Sequence, residues 1–162
     1  MINIAGIIEE SYTDGVGIRC TIFTQGCSHN CKGCQNPETH TFGTGKMLDN
    51  KAIMEYMKSN PLLDGITFSG GDPMDQAKDC AELAKQVKEE TNLNVWCYTG
   101  YTIEQLTKPD QLEFLKYIDV LVDGPYMEEK RKLTEKFRGS TNQRIIDVQE
   151  YLKTGNIKIK DV

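Results

Sequence analysis

Residues 18–34 read Ile-Arg-Cys-Thr-Ile-Phe-Thr-Gln-Gly-Cys-Ser-His-Asn-Cys-Lys-Gly-Cys. The first seven residues are rich in β-branched side chains and lie between Gly17 and Gly26, which is typical of a strand. The polar segment that follows places three cysteines within eight positions, at 27, 31 and 34. The sequence therefore predicts a strand that leads directly into a cysteine-rich loop.

Beyond this stretch, strand and helix patterns alternate along the chain. Such alternation predicts right-handed βαβ units, and hence an α/β fold with a mostly parallel sheet and outer helices. A closed eight-stranded barrel takes around 250 residues, so we expect an open partial (βα) barrel in a single domain over residues 1–162. The predicted strands are 18–24, 65–69, 93–99 and 119–123, with 157–159 as a fifth candidate, and the predicted helices are 49–58, 75–90 and 111–117. The segment 127–162 gives no clear assignment.

Composition and charge limit the classes of function. Of 162 residues, 38% are hydrophobic and 27% are charged, as in ordinary globular proteins. A net charge of -5 gives no general attraction to nucleic acid or to anionic membranes. The amino terminus lacks a basic leader with a long apolar stretch. We therefore expect a cytoplasmic protein that binds neither nucleic acid nor membrane.

Three loops are expected to meet at one edge of the sheet. In parallel sheets, reactive groups gather beyond the carboxyl ends of the strands. The cysteine loop, the turn Gly70-Gly71-Asp72-Pro73 and the segment Tyr98-Thr99-Gly100 all follow predicted strands. The sequence predicts that these three segments share a site.

The spacing of Cys27, Cys31 and Cys34 indicates a metal centre. Thiolates bind soft metal centres strongly, and a short loop allows all three to converge on one iron–sulfur cluster. A four-iron cluster held by three cysteines keeps one iron available to a small molecule. The alternatives are a structural zinc site completed by His29 or His40, and disulfides, which cytosolic conditions disfavour.

The other three cysteines have a different setting. Cys20, Cys80 and Cys97 are dispersed among apolar neighbours. Cysteine behaves as a small hydrophobic residue in such positions, so we expect these three side chains in the core.

The Cys-x3-Cys-x2-Cys loop and the Gly70-Gly71-Asp72-Pro73 turn resemble the two landmarks of the radical S-adenosylmethionine enzymes. Within that superfamily, an ordered set of motifs is similar to the activating proteins of anaerobic ribonucleoside-triphosphate reductases. The set spans most of the chain, and its members are residues 14–19, 25–27, 33–39, 68–74, 98–101, 120–126 and 137–144.

This resemblance implies a [4Fe-4S] cluster that cleaves S-adenosylmethionine reductively to methionine and a 5′-deoxyadenosyl radical. The radical then removes a hydrogen atom from a glycine of the partner reductase. A low-potential electron donor, such as flavodoxin or ferredoxin, is implied as well. The resemblance assigns the metal to Cys27, Cys31 and Cys34, and cofactor binding to Gly33, Cys34, Gln35, Gly70, Gly71 and Asp72.

Two positions differ from the wider superfamily. Gly33 stands where many of its members carry an aromatic residue that packs on adenine, so backbone near 33–35 is expected to support the adenine instead. Asp72 replaces a more common glutamate, and helix capping is an alternative role for it.

Three other side chains have two interpretations each. His29 lies inside the cysteine loop, where a hydrogen bond or packing suits it better than acid–base catalysis, because hydrogen-atom abstraction needs no general base. Tyr98 could line the cofactor pocket or belong to the core. Arg138 could bind a carboxylate or phosphate, or form a salt bridge.

Other functions compete with this interpretation. The chain could activate another glycyl-radical enzyme, such as pyruvate formate-lyase, or modify a metabolite. It could also be a non-enzymatic zinc or iron–sulfur module. A metal and sulfide assay on protein purified without oxygen separates that module from an activating enzyme.

Overall fold

The computed structural model of the chain describes residues 1–29, 42, 45–132 and 134–162. Strands and helices alternate over most of this part, as the sequence predicts. The strands are β1 (Asn3–Ser11), β2 (Arg19–Thr24), β3 (Lys46–Met47), β4 (Gly65–Gly70), β5 (Asn94–Tyr98), β6 (Val120–Asp123) and β7 (Arg144–Asp147). The helices are α1 (Asn50–Ser59), α2 (Ala77–Glu90), α3 (Pro109–Leu115) and α4 (Val148–Thr154).

Within the described residues, seven strands form one sheet in the order β3-β1-β2-β4-β5-β6-β7. The four strands predicted with most support, β2, β4, β5 and β6, pair with one another in parallel. β1 is antiparallel to β2, and β3 is antiparallel to β1, so β3 runs with the central strands. β7 is antiparallel to β6. Most of the sheet therefore runs in one direction and its two ends do not join, which confirms the predicted open α/β architecture.

The predicted number of strands was too low. β1 lacks a clean alternation of apolar and polar residues, and its pairing with β2 shifts register between Ile4 and Gly6. Residues 157–159 were a candidate for a fifth strand, but they do not form one. Only Ile159 pairs with the sheet, through an isolated antiparallel bridge to Ile146 of β7. The strands at the two edges of the sheet were missed because they form antiparallel pairs, which need no crossover helix. They therefore lie outside the alternation of strands and helices by which the central strands were predicted.

The two faces of the sheet carry different layers. One face packs against the helices, and Cys20, Ile66, Phe68 and Cys97 of the strands meet α2 and α3 there. The other face carries a smaller apolar cluster built around Trp96. Cys20, Cys80 and Cys97 are fully buried on the helical side, which confirms their prediction as core residues. No helix in the described ranges has the length and apolar character needed to cross a bilayer.

The parallel register brings the strand ends together. Thr24 at the end of β2 lies opposite Gly70 at the end of β4, and Tyr98 at the end of β5 lies opposite Val122 of β6. The segments that follow these strands therefore begin at the same edge of the sheet.

Arg19 is buried on the same face of the sheet as Trp96, at the amino end of β2. Its guanidinium donates to Thr67 Oγ1 (2.7 Å) and to the backbone carbonyls of Val16 (2.9 Å) and Ile66 (2.8 Å). The guanidinium carbon also lies 5.4 Å from the centre of the Trp96 ring. Burial lowers the pKa of Arg19 to about 10. One side chain thus joins β2, β4 and β5.

The Arg19→Met variant is expected to lower the free energy of unfolding by about 3 kcal/mol, because it removes several hydrogen bonds and leaves their buried acceptors without donors. Urea denaturation under anaerobic conditions measures the change. The matched control is Arg131→Met, since Arg131 is exposed and surface changes usually stay within about 0.5 kcal/mol. Equal losses in the two variants would contradict a stabilising role for the buried guanidinium.

Candidate functional site

A cleft of about 370 Å³ lies at the carboxyl edge of the sheet. This volume falls within the range of small-molecule sites, about 300 to 1,000 Å³. The three segments predicted to share a site all contribute to its wall, which confirms that prediction for the described residues. Their contributions are Cys27 and His29, then Ser69, Gly70 and Gly71, then Tyr98, Thr99 and Gly100.

The cysteine loop is only partly described. Cys27 lines the cleft beside the Gly70-Gly71 turn. Cys31 and Cys34, the other two predicted metal ligands, lie outside the described residues. The predicted cofactor contacts Gly33 and Gln35, and the alternative zinc ligand His40, lie outside them as well.

Backbone hydrogen bonds join the start of the cysteine loop to the turn after β4. The Gly71 N–H donates to the Thr24 carbonyl (2.8 Å), and the Asp72 N–H donates to the Gly26 carbonyl (2.9 Å). Gly70 has a φ of +105°, and a Cβ there would lie 2.4 Å from the Thr24 nitrogen. Glycine is the residue that tolerates both the left-handed backbone and this close approach.

Asp72 lies behind this turn and is fully buried. Its Oδ1 accepts from the Met74 N–H (3.0 Å) and its Oδ2 accepts from the Gly100 N–H (2.9 Å). The Thr99 hydroxyl lies 2.9 Å and 3.0 Å from the two oxygens. The bond to Met74 caps a short 3₁₀ turn, Pro73–Gln76. Asp72 therefore has the capping role that sequence analysis offered as an alternative.

His29 reaches the same carboxylate from the cysteine loop. Its Nε2 lies 2.5 Å from Asp72 Oδ2. The hydrogen bond to Asp72 raises the pKa of His29, although partial burial opposes the shift. The imidazole stands edge-on to the Tyr101 ring, with 4.4 Å between the ring centres. A hydrogen bond near the cluster loop was the role that sequence analysis favoured for His29.

A second set of contacts runs through Asp75. Ser28, which follows Cys27, donates its N–H to Asp75 Oδ2 (3.2 Å). The Tyr101 hydroxyl donates to Asp75 Oδ1 (2.7 Å). The Ser28 hydroxyl also lies 3.1 Å from the Tyr101 hydroxyl, so the loop contacts both the turn after β4 and the turn after β5. Sequence analysis did not predict the hydrogen bonds that Thr99, Tyr101 and Asp75 form around the loop. The motif at 98–101 was the signal that could have indicated Thr99 and Tyr101.

The far wall of the cleft comes from the segment that the sequence left unassigned. Phe137 lines the cleft with a φ of +63° and meets Trp96 edge-on, with ring centres 5.5 Å apart. A bulky residue in the left-handed region is uncommon. Arg138 forms an ion pair with Glu135 and donates to the Gln143 carbonyl (2.8 Å), so the salt-bridge interpretation of Arg138 is confirmed.

Tyr98 satisfies both of its sequence interpretations. It lines the cleft and also packs against the apolar cluster around Trp96. Burial raises the pKa of its hydroxyl, so the phenol stays protonated. The cleft wall therefore combines aromatic surface from Tyr98 and Phe137 with exposed backbone at the glycine turn.

Among the described residues, Cys27 and the glycine turn have the chemistry that an iron–sulfur cluster with a cofactor beside it would use. A thiol from Cys27 is the donor type that iron–sulfur clusters require. Gly70 and Gly71 provide a wall without side chains beside this thiol, which allows a ligand to approach the backbone closely. Cleft, thiol and glycine turn lie together at the sheet edge where α/β proteins bind their ligands.

Comparison with known proteins places this site in a family. Residues 13–146 match the family described as "4Fe-4S single cluster domain". The chain is 38% identical over 141 residues to the anaerobic ribonucleoside-triphosphate reductase-activating protein of Haemophilus influenzae, covering 82% of this chain and 89% of that protein. The protein of the same name from Escherichia coli is 32% identical over 80% of this chain and 88% of its own length.

The corresponding Vibrio cholerae protein is 39% identical over 139 residues, which cover 82% of this chain and 89% of that protein. The solved structure of QueE from Escherichia coli has a TM-score of 0.49 and 14% identity, and the match covers 75% of this chain and 69% of that one. The family match over residues 13–146 includes every residue that lines the cleft. The chain belongs to the family of anaerobic ribonucleoside-triphosphate reductase-activating proteins.

Proposed function

We propose that this chain is an enzyme that generates a glycyl radical on an anaerobic ribonucleoside-triphosphate reductase. The observation that carries the proposal is that Cys27 and the Gly70-Gly71 turn border one cleft. Relatives named as activating proteins of that reductase match 82% of the chain, and the family match over residues 13–146 includes both features. When bound, the [4Fe-4S] cluster and S-adenosylmethionine supply the electron transfer and the 5′-deoxyadenosyl radical that removes hydrogen from glycine.

The chain's own residues bind and orient these groups. Thiolates of Cys27, Cys31 and Cys34 would hold the cluster, which leaves one iron for the cofactor. The glycine turn would receive the methionine end, with Gly33 and Gln35 near the adenine. The rings of Tyr98 and Phe137 would exclude water from the same cleft, which protects a reactive intermediate from side reactions.

A protein glycine suits this site as the hydrogen donor. Removal of a glycine Cα hydrogen leaves a radical that the flanking amides delocalise, and a glycine on a mobile loop can reach a site in another protein. We further propose that residues 1–162 form a single cytoplasmic radical S-adenosylmethionine domain. Its electron would come from a low-potential donor such as flavodoxin or ferredoxin.

The test is anaerobic incubation of the protein with S-adenosylmethionine, a low-potential reductant and a reductase that carries α-deuterated glycine. We expect an organic radical on the reductase by EPR, together with deuterium in 5′-deoxyadenosine. Parallel incubations contain pyruvate formate-lyase that also carries α-deuterated glycine, or a deuterated small molecule and no protein substrate. Deuterium transfer from pyruvate formate-lyase alone, or from a small molecule alone, would show that the assigned partner is wrong.

A further inference from the structure

We propose that His29 is a positioning residue, whose hydrogen bond to Asp72 holds the first cluster ligand in line with the glycine turn. The proposal rests on the proposed function, because it assumes a cluster on Cys27 and a cofactor beside Gly70 and Gly71. It also gives Asp72 a role other than the cofactor contact that the resemblance implies: Asp72 anchors the cysteine loop.

Asp72 is suited to be a fixed anchor. Its carboxylate is completely buried and accepts hydrogen bonds from the Met74 N–H, the Gly100 N–H and the Thr99 hydroxyl. Two of these donors belong to the segment after β5 and one to the turn after β4. Because both oxygens already accept bonds from these fixed groups, the carboxylate cannot swing toward a ligand without losing them.

The imidazole of His29 occupies a space bounded by Gly100 and Tyr101. A Cβ on Gly100 would lie 2.7 Å from His29 Cδ2, so any larger residue at position 100 would displace the imidazole. On another side of the imidazole, the Tyr101 ring packs edge-on against it. Since the carboxylate accepts from the other groups around it, the bond to His29 is formed by an Nε2–H that donates to Oδ2.

These contacts bracket Cys27 on both sides. Before it, the Gly26 carbonyl accepts from the Asp72 N–H (2.9 Å). After it, His29 binds the carboxylate of the same residue. Asp72 therefore holds the chain one residue before and two residues after the first cluster ligand, through its backbone and its side chain. Ser28, between Cys27 and His29, also donates its N–H to Asp75 (3.2 Å). Loss of the His29 side-chain bond would therefore loosen the chain after Cys27 without detaching it.

Alignment between cluster and cofactor should depend on this second attachment more than cluster assembly does. All three cysteines are still present in the sequence when His29 is changed, so iron and sulfide should still bind. The cofactor must contact the cluster and the glycine turn at once, and displacements of about 1 Å can cost about a hundredfold in such arrangements. Cofactor binding is therefore the sensitive measurement.

The experiment compares His29→Leu with His29→Gln in the reconstituted protein. Glutamine carries an N–H donor at the same number of bonds from Cα as His Nε2, whereas leucine carries none. Iron and sulfide are counted, and S-adenosylmethionine is titrated by its effect on the EPR signal of the reduced cluster. We expect full clusters in both variants, at least about tenfold weaker cofactor binding in His29→Leu, and near wild-type binding in His29→Gln.

Two further variants separate this contact from its neighbours. Tyr101→Phe removes the hydroxyl that binds Asp75 but keeps the ring beside His29, so its effect should be smaller than that of His29→Leu. Gly100→Ala displaces the imidazole without removing a polar group, and should weaken cofactor binding as His29→Leu does.

The outcomes are distinct. Wild-type affinity in His29→Leu or Gly100→Ala, or equally weak binding in His29→Gln, would overturn the positioning role. Loss of the cluster in His29→Leu alone would show that the bond between His29 and Asp72 is needed for cluster assembly. That result would overturn its proposed role in aligning the cluster with the cofactor. If the wild-type protein itself bound no cluster, or showed no EPR change with S-adenosylmethionine, the proposed function would fail instead.

Discussion

Replacement of Cys27 by serine is expected to abolish the iron–sulfur cluster and, with it, all cleavage of S-adenosylmethionine. Cys27 lines the cleft. A serine hydroxyl is a harder and weaker ligand for iron than a thiolate. With one of three ligands lost, the cluster would have too few attachments to persist. Cys31→Ser and Cys34→Ser should behave in the same way. Iron and sulfide analysis after anaerobic reconstitution measures the loss.

The other cysteines provide matched controls. Cys20, Cys80 and Cys97 are completely buried on the helical side of the sheet. Burial raises the pKa of Cys20 to about 12 and the pKa values of Cys80 and Cys97 well above the usual range, so these thiols stay protonated. Serine at these positions should lower stability but leave about four irons and four sulfides per chain, as a [4Fe-4S] cluster requires. Stoichiometric zinc without sulfide in the wild-type protein would contradict the cluster itself.

The sequence predicts the parallel centre of the fold well because two independent patterns coincide there. β2, β4, β5 and β6 are short apolar runs followed by glycine or polar turns, and helices with apolar stripes lie between them. The stripe on α2 is buried as expected, at Ala77, Cys80, Ala81, Ala84 and Val87. Both the strands and the helices are therefore specified by local periodicity.

The edges of the sheet are less predictable because tertiary contacts define them. β7 is four residues long and leads at once into α4 at Val148. Neither the alternation of a strand nor the 3.6-residue period of a helix therefore continues long enough to be recognised. The segment that lines the far wall of the cleft depends on side-chain pairs such as Arg138 with Glu135. Such pairing cannot be read from hydrophobic spacing.

In the candidate site, too, some features were predictable from the sequence and others depend on tertiary contacts. Motif spacing placed Cys27, Gly70 and Gly71 at one edge of the sheet, because strand ends in a parallel sheet must coincide there. The partner of His29 could not be derived in this way. Asp72 is 43 positions away in the sequence, and the bond exists because Gly100 leaves room for the imidazole.

The Gly70→Ala variant is expected to disrupt both the end of the sheet and the cofactor site. Position 70 combines a φ of +105° with a Cβ location 2.4 Å from the Thr24 nitrogen and 2.6 Å from its oxygen. The left-handed backbone costs an L-residue about 1–2 kcal/mol, and the clash with fixed backbone adds to this cost. Because Thr24 leads into the cysteine loop, we expect lower stability and a loss of cofactor affinity of more than about a hundredfold.

Gly155→Ala is the control that isolates the clash. Gly155 ends α4 with a φ of +75°, and nothing lies within 4 Å of a Cβ built there. This variant should lose about 1–2 kcal/mol of unfolding free energy to backbone strain alone, with unchanged cofactor affinity. Urea denaturation and EPR titration with S-adenosylmethionine compare the two variants. If Gly70→Ala lost no more stability than Gly155→Ala and bound the cofactor normally, the close approach of the turn to Thr24 could not be what shapes the cleft.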